Sequence, residues 1–203
     1  MELYIRSERD QMKKIISKIL IVILLISSCI GTINVAPVTV NAATKTNWPK
    51  GPSIYGQTGV LIEASTGTVL YDKKCNKKMY PASITKIMTA LLTIENCKMD
   101  EMVTFSDATI HSIQYGDANM GCSVGEKMTV KDCLYALMLQ SANEVATALG
   151  EHIAGSTKKF AEMMNKRAKE AGALNTHFAN ANGLHDPNHY VTAYDMAMIT
   201  SSL

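Results

Sequence analysis

After residue 58 the apolar and polar positions follow the period of a β-hairpin and then that of several helices. Residues 59–64 and 68–71 are rich in β-branched side chains and flank the turn Ser65-Thr66-Gly67, which predicts a hairpin. From Pro81 onward, apolar residues recur at the i, i+3, i+4, i+7 spacing of one buried helical face, namely Ile84, Ile87, Met88, Leu91 and Ile94. This pattern predicts a helix that has Ser83 in its first turn and ends near Asn96.

The second half of the chain predicts four more helices with polar caps. Thr129 begins one, with an apolar face of Leu134, Leu137 and Met138, and residues 140–143 interrupt it. The next ends at Gly155, Ser156 caps the third, and Thr192 caps the last. Residues 99–127 and 173–191 lack a clear period, apart from a short helix expected near Ser106. One hairpin followed by helices indicates an α+β fold.

The first 42 residues are typical of an export signal. Lys13 and Lys14 begin a basic segment, and Met12 is a plausible start. Residues 19–26 are uniformly apolar, which suits a signal sequence and is short for a membrane span. Small residues around Ala42 suit a signal peptidase. We expect a signal peptide at 1–42 and a polar linker at 43–58; an uncleaved membrane anchor and a lipoprotein site at Cys29 are the alternatives.

Charge and composition exclude one class of partner. The 203 residues are 47% hydrophobic and 19% charged, which is typical of a globular domain, and the net charge is +2. The excess lies in the first 42 residues, and the remainder carries 15 basic and 15 acidic residues. A chain without a basic patch is not expected to bind nucleic acid.

Four cysteines follow Cys29, an even number that permits disulfides outside the cytoplasm without specifying the pairing.

Ser83 and Lys86 form a Ser-x-x-Lys motif at the predicted start of a helix. Residues three apart lie on the same helical face, so the lysine amine can reach the serine hydroxyl. A serine is activated as a nucleophile when a base takes its proton, and a buried, neutral lysine can be that base. The motif alone has low specificity, because Ser156 and Lys159 repeat it where a helix cap and a solvated lysine are the better interpretation.

Ser141 and Asn143 lie at the break between two predicted helices. A tight break would direct both side chains into one cleft, where Ser141 could pass a proton and Asn143 could hold the Lys86 amine or a substrate amide. Ordinary helix capping is the alternative interpretation of the two residues.

Several ordered segments resemble the low-molecular-mass penicillin-binding proteins, the serine-type D-alanyl-D-alanine carboxypeptidases. The nucleophile segment is 81–90 (PASITKIMTA), and later segments follow in the family's order at 124–130 (VGEKMTV), 137–144 (LMLQSANE) and 183–190 (GLHDPNHY). The hairpin resembles the family's opening strands. The resemblance covers almost everything after the linker and implies a β-lactamase/transpeptidase-like fold, with helices packed on an antiparallel sheet.

The resemblance also implies roles for the residues. Ser83 would be the acylated nucleophile, with its backbone N–H in the oxyanion hole, and Lys86 its general base. Ser141 would relay protons, and Asn143 would bind substrate. The family removes the terminal D-alanine from peptidoglycan stem peptides, which affects wall maturation and cell shape, and β-lactams trap its acyl-enzyme. No metal or organic cofactor is implied, and the protein would act outside the cytoplasm, in the cell wall or at the outer face of the cytoplasmic membrane.

The family's third motif, Lys-Thr/Ser-Gly, is absent. Lys45-Thr46-Asn47 lies in the linker and differs in its last residue. In the family that strand comes later in the chain, binds the substrate carboxylate and supplies the second oxyanion donor. We therefore expect residues 59–203 to be the front part of a catalytic domain in which the hairpin is the only part of the sheet present. A catalytically inactive exported fragment is the alternative function.

Two further alternatives involve other residues. A class A β-lactamase needs a Glu-x-x-Leu-Asn loop, whereas residues 170–175 (EAGALN) are one residue too long. A metal hydrolase would use His177, His185, Asp186 and His189, but these lie in a loop without the fixed spacing of a metal site, so a solvated turn is the better interpretation.

Overall fold

The structure is a computed structural model that describes residues 51–202. The expected signal peptide at 1–42 lies outside these residues. The described elements, in chain order, are β1 (Gly59–Ile62), β2 (Val69–Lys73), a 3₁₀ turn (Ala82–Thr85), α1 (Lys86–Asn96), β3 (Met102–Thr104), α2 (Asp107–His111), β4 (Lys127–Thr129), α3 (Val130–Tyr135), a π-helical turn (Ala136–Gln140), α4 (Asn143–Ala154), α5 (Thr157–Glu170) and α6 (Ala193–Thr200).

The predicted hairpin is confirmed, and a second strand pair accompanies it. β1 and β2 are antiparallel, with Leu61 opposite Tyr71. β3 and β4 form another antiparallel pair, in which Val103 faces Met128 and is fully buried. Sequence analysis missed this pair because a three-residue strand is too short to show an alternating pattern. The helices and small antiparallel sheets give the expected α+β fold.

Helix α1 is the centre of the core. Every residue from Met88 to Thr93 is buried, because α4, α5 and α6 all pack against this helix. The predicted one-sided apolar face is therefore wrong in part: Ile84 and Ile94 are 47% and 50% exposed. A helix covered on several sides needs no single apolar stripe.

Polar caps begin the helices where the sequence placed them. Ser106, Thr129, Ser156 and Thr192 each accept a hydrogen bond from the backbone N–H three residues later. Gly155 ends α4 in the left-handed conformation, with φ of 75°. The predicted face of the Thr129 helix is wrong at Met138, which is 55% exposed, because the wider π-helical turn from Ala136 shifts the helical phase.

The edge of the hairpin contacts the preceding segment and α6. The Lys73 amine donates a hydrogen bond of 2.6 Å to the carbonyl of Ile54, so the described part of the predicted linker packs back on β2. β1 and α6 line an open groove of about 810 Å³ that reaches Pro81 and Ile84. In the described residues β1 pairs on one side only, with β2.

Residues 51–202 contain no helix that is both long and apolar enough to cross a membrane.

Cysteines 75, 97, 122 and 133 are free thiols in the structure. Cys75 and Cys133 are buried, and burial raises the pKa of the Cys133 thiol to about 12. None of these four residues is paired in a disulfide in the structure, although their even number permits pairing. Cys133 instead packs in the core like a small apolar residue.

Buried hydrogen bonds fix the long connection 173–191 onto α1. The Thr89 hydroxyl donates to the carbonyl of Ala181 at 2.6 Å, and Thr85 Oγ1 lies 2.8 Å from His189 Nε2. The backbone N–H of Ala179 donates to His189 Nδ1, so the neutral ring carries its proton on Nε2 and donates it to Thr85. Sequence analysis predicted only a turn-forming, solvated cluster here, which is wrong for His189, because that residue is 1% exposed.

We predict that His189 makes the fold sensitive to acid. Burial lowers the pKa of this ring to about 4, from an ordinary value of 6.5, and His177 reinforces the shift while Asp186 opposes it. Because the unfolded chain binds the proton more readily, this contribution to stability is complete above about pH 6.5 and is lost as the pH falls towards 4. Between pH 7 and pH 5 the free energy of unfolding should fall by about 2 kcal/mol from this residue alone.

Urea unfolding at the two pH values measures the effect, with His189→Asn as the test variant. This variant should be less stable at pH 7 and should lose most of the extra fall at pH 5. His111→Asn is the control, because His111 is exposed and its ring lies beside Asp107. An equal pH dependence in all three proteins would contradict the prediction.

Candidate active site

Ser83 and Lys86 occupy the junction between the 3₁₀ turn and α1. Ser83 lies in the turn and is exposed, whereas Lys86 is the first residue of α1 and is 2% exposed. The prediction that Ser83 lies in the first turn of the α-helix is therefore corrected to the 3₁₀ turn that precedes it. The preceding residue, Ala82, has φ of 49°, a left-handed conformation that is unusual for alanine.

The Lys86 amine is held by three oxygen atoms. Its nitrogen lies 2.7 Å from Oδ1 of Asn143, 2.8 Å from the carbonyl oxygen of Asn182 and 3.4 Å from Oγ of Ser83. These atoms come from α4, the 173–191 connection and the 3₁₀ turn. The structure thus brings together Ser83, Lys86 and Asn143, which the sequence had placed up to 60 residues apart.

These distances suit a neutral amine that acts as a base. A neutral lysine has two N–H donors and one lone pair, whereas the charged form has three donors. In the two short contacts, two N–H groups of the Lys86 amine donate to Oδ1 of Asn143 and to the carbonyl oxygen of Asn182. The remaining position faces Ser83, where the lone pair of the neutral amine can accept the hydroxyl proton.

Burial favours this neutral form. It lowers the pKa of Lys86 to about 8, from 10.5, while the negative charges of Glu144 and Asp117 oppose the shift. About a tenth of the amines are then neutral at pH 7, against fewer than about one in a thousand for an exposed lysine. Lys86 therefore combines contact with a serine hydroxyl and a pKa near neutrality.

Ser141 lies at the bend that ends the π-helical turn. Its φ of 55° is left-handed, and its hydroxyl oxygen is buried with no hydrogen-bond partner among the described residues. A non-glycine residue in this conformation costs about 1–3 kcal/mol, and an unpaired buried hydroxyl adds a further cost. The bend leads through Ala142 to Asn143, whose backbone N–H donates to the carbonyl of Ala118 at 2.8 Å.

Two residues of the 173–191 connection were missed by sequence analysis. Asn182 gives its carbonyl to Lys86, and its side-chain oxygen accepts from the backbone N–H of Leu184. Gly183 has φ of 92°, and a side-chain carbon there would overlap the carbonyl of Ala82, next to Ser83. The Asn-Gly pair was a visible turn signal, but the sequence gives no sign of the backbone contact with residues a hundred positions earlier.

Glu144 is a third residue that sequence analysis left without a role. It follows Asn143 in α4, is 1% exposed, and accepts a 2.5 Å hydrogen bond from the backbone N–H of Met120. Its carboxylate is the largest of the charges that oppose the lowered pKa of Lys86. A buried acid therefore keeps the pKa of the amine from falling further.

The other candidate residues lie apart from this arrangement. Ser156 caps α5 by accepting from the backbone N–H of Lys159, and Lys159 is exposed, as predicted. His177, His185 and His189 make separate contacts, with the carbonyl of Asn188, the ring of Tyr80 and Thr85 respectively. Glu170 is exposed at the end of α5. These contacts do not favour the metal-hydrolase or class A β-lactamase alternatives.

An exposed serine in contact with a buried lysine of low pKa defines a class of acyl-transfer enzyme in which lysine, not histidine, is the base. Comparison with known proteins identifies the family within that class. Residues 42–203 match the family profile described as D-alanyl-D-alanine carboxypeptidase. The chain belongs to this family, as its motifs predicted.

Curated relatives carry the same description. The chain is 42% identical over 152 residues to the D-alanyl-D-alanine carboxypeptidase DacF of Bacillus subtilis, an alignment that covers 72% of this chain and 38% of the relative. It is 33% identical over 162 residues to DacC of Escherichia coli, which covers 76% of this chain and 40% of the relative. The chain thus spans about 40% of the length of these relatives.

Solved structures share the fold. The carboxypeptidase DacD from Francisella tularensis superposes with a TM-score of 0.70 and 32% identity over 79% of this chain and 40% of that one. Penicillin binding protein 6B from Escherichia coli gives a TM-score of 0.71 and 29% identity over 77% of this chain and 52% of that one. The expected fold class is therefore confirmed.

We predict that Gly183→Ala will destabilise the protein and displace the segment that carries Ser83. The added carbon would meet the Ala82 carbonyl, which is backbone and has little room to move. We expect a loss of about 3 kcal/mol or more in the free energy of unfolding, measured by urea denaturation.

Gly125→Ala is the matched control for the Gly183 variant. Gly125 also has positive φ, at 80°, but a carbon added there would meet no atom within 4 Å. This control carries the conformational cost without the overlap, about 1 kcal/mol. Equal losses in the two variants would show that the close approach to Ala82 has no importance.

We also predict that Glu144→Gln will lower the pKa of Lys86 below its value of about 8, because the substitution removes the main charge that favours the ammonium form. Nuclear magnetic resonance of the lysine side-chain carbons, followed against pH, measures this pKa directly. Glu151→Gln is the control on the same helix, since that carboxylate bonds to Ser106 and Thr109. A pKa that stays unchanged or rises in Glu144→Gln would contradict the prediction.

Proposed function

We propose that this chain carries the nucleophile part of a serine-type D-alanyl-D-alanine carboxypeptidase, which removes the terminal D-alanine from peptidoglycan stem peptides. The observation that carries the proposal is the Lys86 amine, which is buried, bound by Asn143 and Asn182 and 3.4 Å from Ser83 Oγ. The family membership of residues 42–203 supports the choice of substrate class.

The proposed reaction begins with the neutral Lys86. The amine takes the Ser83 proton while Oγ attacks the carbonyl carbon of the penultimate D-alanine and forms a tetrahedral intermediate. The C–N bond then breaks, the proton reaches the leaving amine, and D-alanine departs from the Ser83 ester. Water then attacks this ester while the Lys86 amine takes a proton from the water. The ester C–O bond breaks, the proton passes from Lys86 to Ser83 Oγ, and the shortened peptide leaves.

Ser141 is proposed to carry the proton between Lys86 and the leaving amine. Two observations support this role. The hydroxyl oxygen of Ser141 is buried and has no hydrogen-bond partner among the described residues. Its backbone is held in the unfavourable left-handed conformation at the bend that leads to Asn143. Strain of this kind persists at sites where a side chain must be held for chemistry. Asn143 is proposed to position the amine and to contact the substrate amide.

Penicillins are proposed as covalent inhibitors of this site. A β-lactam places a strained amide where the peptide bond would lie, so the same attack by Ser83 opens the ring. The leaving nitrogen then stays tethered, which hinders water and prolongs the acyl-enzyme. The name of the similar Escherichia coli protein, a penicillin binding protein, supports this choice of probe.

We further propose that the protein is exported and works on the wall outside the cytoplasm. The support is the basic segment and apolar run at residues 13–26, and the small residues near Ala42. A wall peptide as substrate also requires this location. Retention of the apolar run as an anchor would keep the protein at the outer face of the cytoplasmic membrane.

We predict that incubation with penicillin adds the mass of one inhibitor molecule to the protein. Intact-mass spectrometry measures the adduct, and peptide mapping should place it on Ser83. Ser83→Ala should remove it, whereas Ser156→Ala, which changes the other Ser-x-x-Lys motif, should leave it unchanged. Lys86→Ala should slow its formation at least about 100-fold, since general-base catalysis contributes that much.

Release of D-alanine from a synthetic peptide ending in D-Ala-D-Ala separates the alternatives. Adduct formation with release supports the carboxypeptidase, while adduct formation without release indicates a fragment that acylates but does not turn over. A folded chain that forms no adduct overturns the proposed function. Rapid hydrolysis of a chromogenic cephalosporin would instead favour the β-lactamase alternative.

A further inference from the structure

A second group of chemically active side chains lies at the opposite end of the helices that carry the site. Cys97 immediately follows the last residue of α1, His152 is in the last turn of α4, and Glu101 lies in the turn before β3. One ligand atom from each residue lies within 4.8 Å of the other two. The nitrogen Nε2 of His152 and the oxygen Oε2 of Glu101 are 3.2 Å apart.

Thiolate, imidazole and carboxylate are the three donor types that bind Zn²⁺ in proteins. Metal–ligand bonds of about 2.0–2.3 Å place neighbouring donors of a tetrahedral site roughly 3.5 Å apart. The His152–Glu101 pair, at 3.2 Å, already has about that spacing, and the sulfur of Cys97 lies within 4.8 Å of both ligand atoms. Three protein donors leave a fourth position for water.

The backbone around the group is fixed by its own hydrogen bonds. The carboxylate of Glu101 accepts from the backbone N–H of Lys98 at 2.8 Å, and its carbonyl accepts from Val130 at 2.9 Å. The N–H of Cys97 donates to the carbonyl of Thr93, continuing the helical pattern of α1. The three donors therefore sit on segments that need no rearrangement to bind an ion.

The local field favours a cation. α1 and α4 both end here, and the carboxyl ends of helices carry partial negative charge. The Glu101 carboxylate adds a full negative charge, and the exposed Lys98 is the positive group that faces it. The side chains of His152 and Glu101 are 28% and 38% exposed, so an ion can enter from solvent.

We propose that Cys97, Glu101 and His152 form a Zn²⁺ site that joins the carboxyl ends of α1 and α4. Binding converts the Cys97 thiol to a metal-bound thiolate, and the proton goes to solvent. The other ends of these helices hold Lys86 and Asn143, which must stay 2.7 Å apart. The ion would therefore clamp the helix pair that aligns the amine, without taking part in the reaction.

Cobalt substitution tests the site, because a Co²⁺–thiolate bond gives a near-ultraviolet charge-transfer band. The reduced protein should show this band with Co²⁺, and Zn²⁺ should displace it. Cys97→Ser should abolish the band, and His152→Gln should weaken Co²⁺ binding at least about tenfold. Zn²⁺ should raise the melting temperature of the unaltered protein, and this rise should disappear in both variants.

Two matched controls exclude nonspecific binding. Cys122→Ser removes a thiol outside the group, and His111→Gln removes a histidine that also lies 3.2 Å from a carboxylate, that of Asp107, but outside the group. Both should keep the band and the thermal shift. Absence of the band in the unaltered protein, or its persistence in Cys97→Ser, overturns the proposal. If Cys97→Ser fails to fold, unchanged Co²⁺ affinity in His152→Gln overturns it.

Discussion

The arrangement of this protein depends on one buried amine. Lys86 is 2% exposed, and burial raises the free energy of its charged form. Its nitrogen therefore needs hydrogen-bond partners from the protein in place of water. Asn143 and Asn182 supply two, and each comes from a different part of the chain. The amine therefore fixes α1, α4 and the 173–191 connection relative to one another. With two hydrogen-bonding positions of the nitrogen taken by Asn143 and Asn182, the third position faces the hydroxyl of Ser83.

Backbone strain is concentrated beside this amine. Among residues 51–202, the non-glycine residues with positive φ are Lys74, Ala82 and Ser141. Ala82 directly precedes Ser83, and Ser141 is itself a predicted functional residue. Each such residue costs about 1–3 kcal/mol. Capped helices and the core around α1 offset this cost. The contact of Gly183 with the Ala82 carbonyl shows how closely the chain is packed against the strained turn.

The two ends of the α1–α4 pair have different chemistry for an electrostatic reason. The amino ends lie at Lys86 and Asn143, where the lowered pKa of Lys86 reduces the fraction of amine that places a cation against the positive helix ends. The carboxyl ends attract positive charge, and the proposed zinc site lies there. Function at one end and cross-linking at the other would use the same two helices without competition between them.

The elements with strong local signals were predictable from sequence. Repeated apolar spacing and the caps at Thr129, Ser156 and Thr192 identified the helices, because each signal acts over a few residues. The second strand pair and the π-helical turn were not predictable, since three residues show no period and a wider turn leaves no sequence mark. Ile84 and Ile94 were placed in the core wrongly because burial depends on which neighbours arrive.

The candidate site also has features that the sequence predicts and features that only the tertiary structure decides. The spacing of Ser83 and Lys86 and the Ser-x-Asn bend were visible in the sequence, together with the family to which such motifs belong. Only the tertiary structure decided that Lys86 is buried, that Asn182 binds it through a backbone carbonyl, and that Glu144 moderates its pKa. A carbonyl group is present at every residue, so no sequence pattern can indicate which one a buried amine will use.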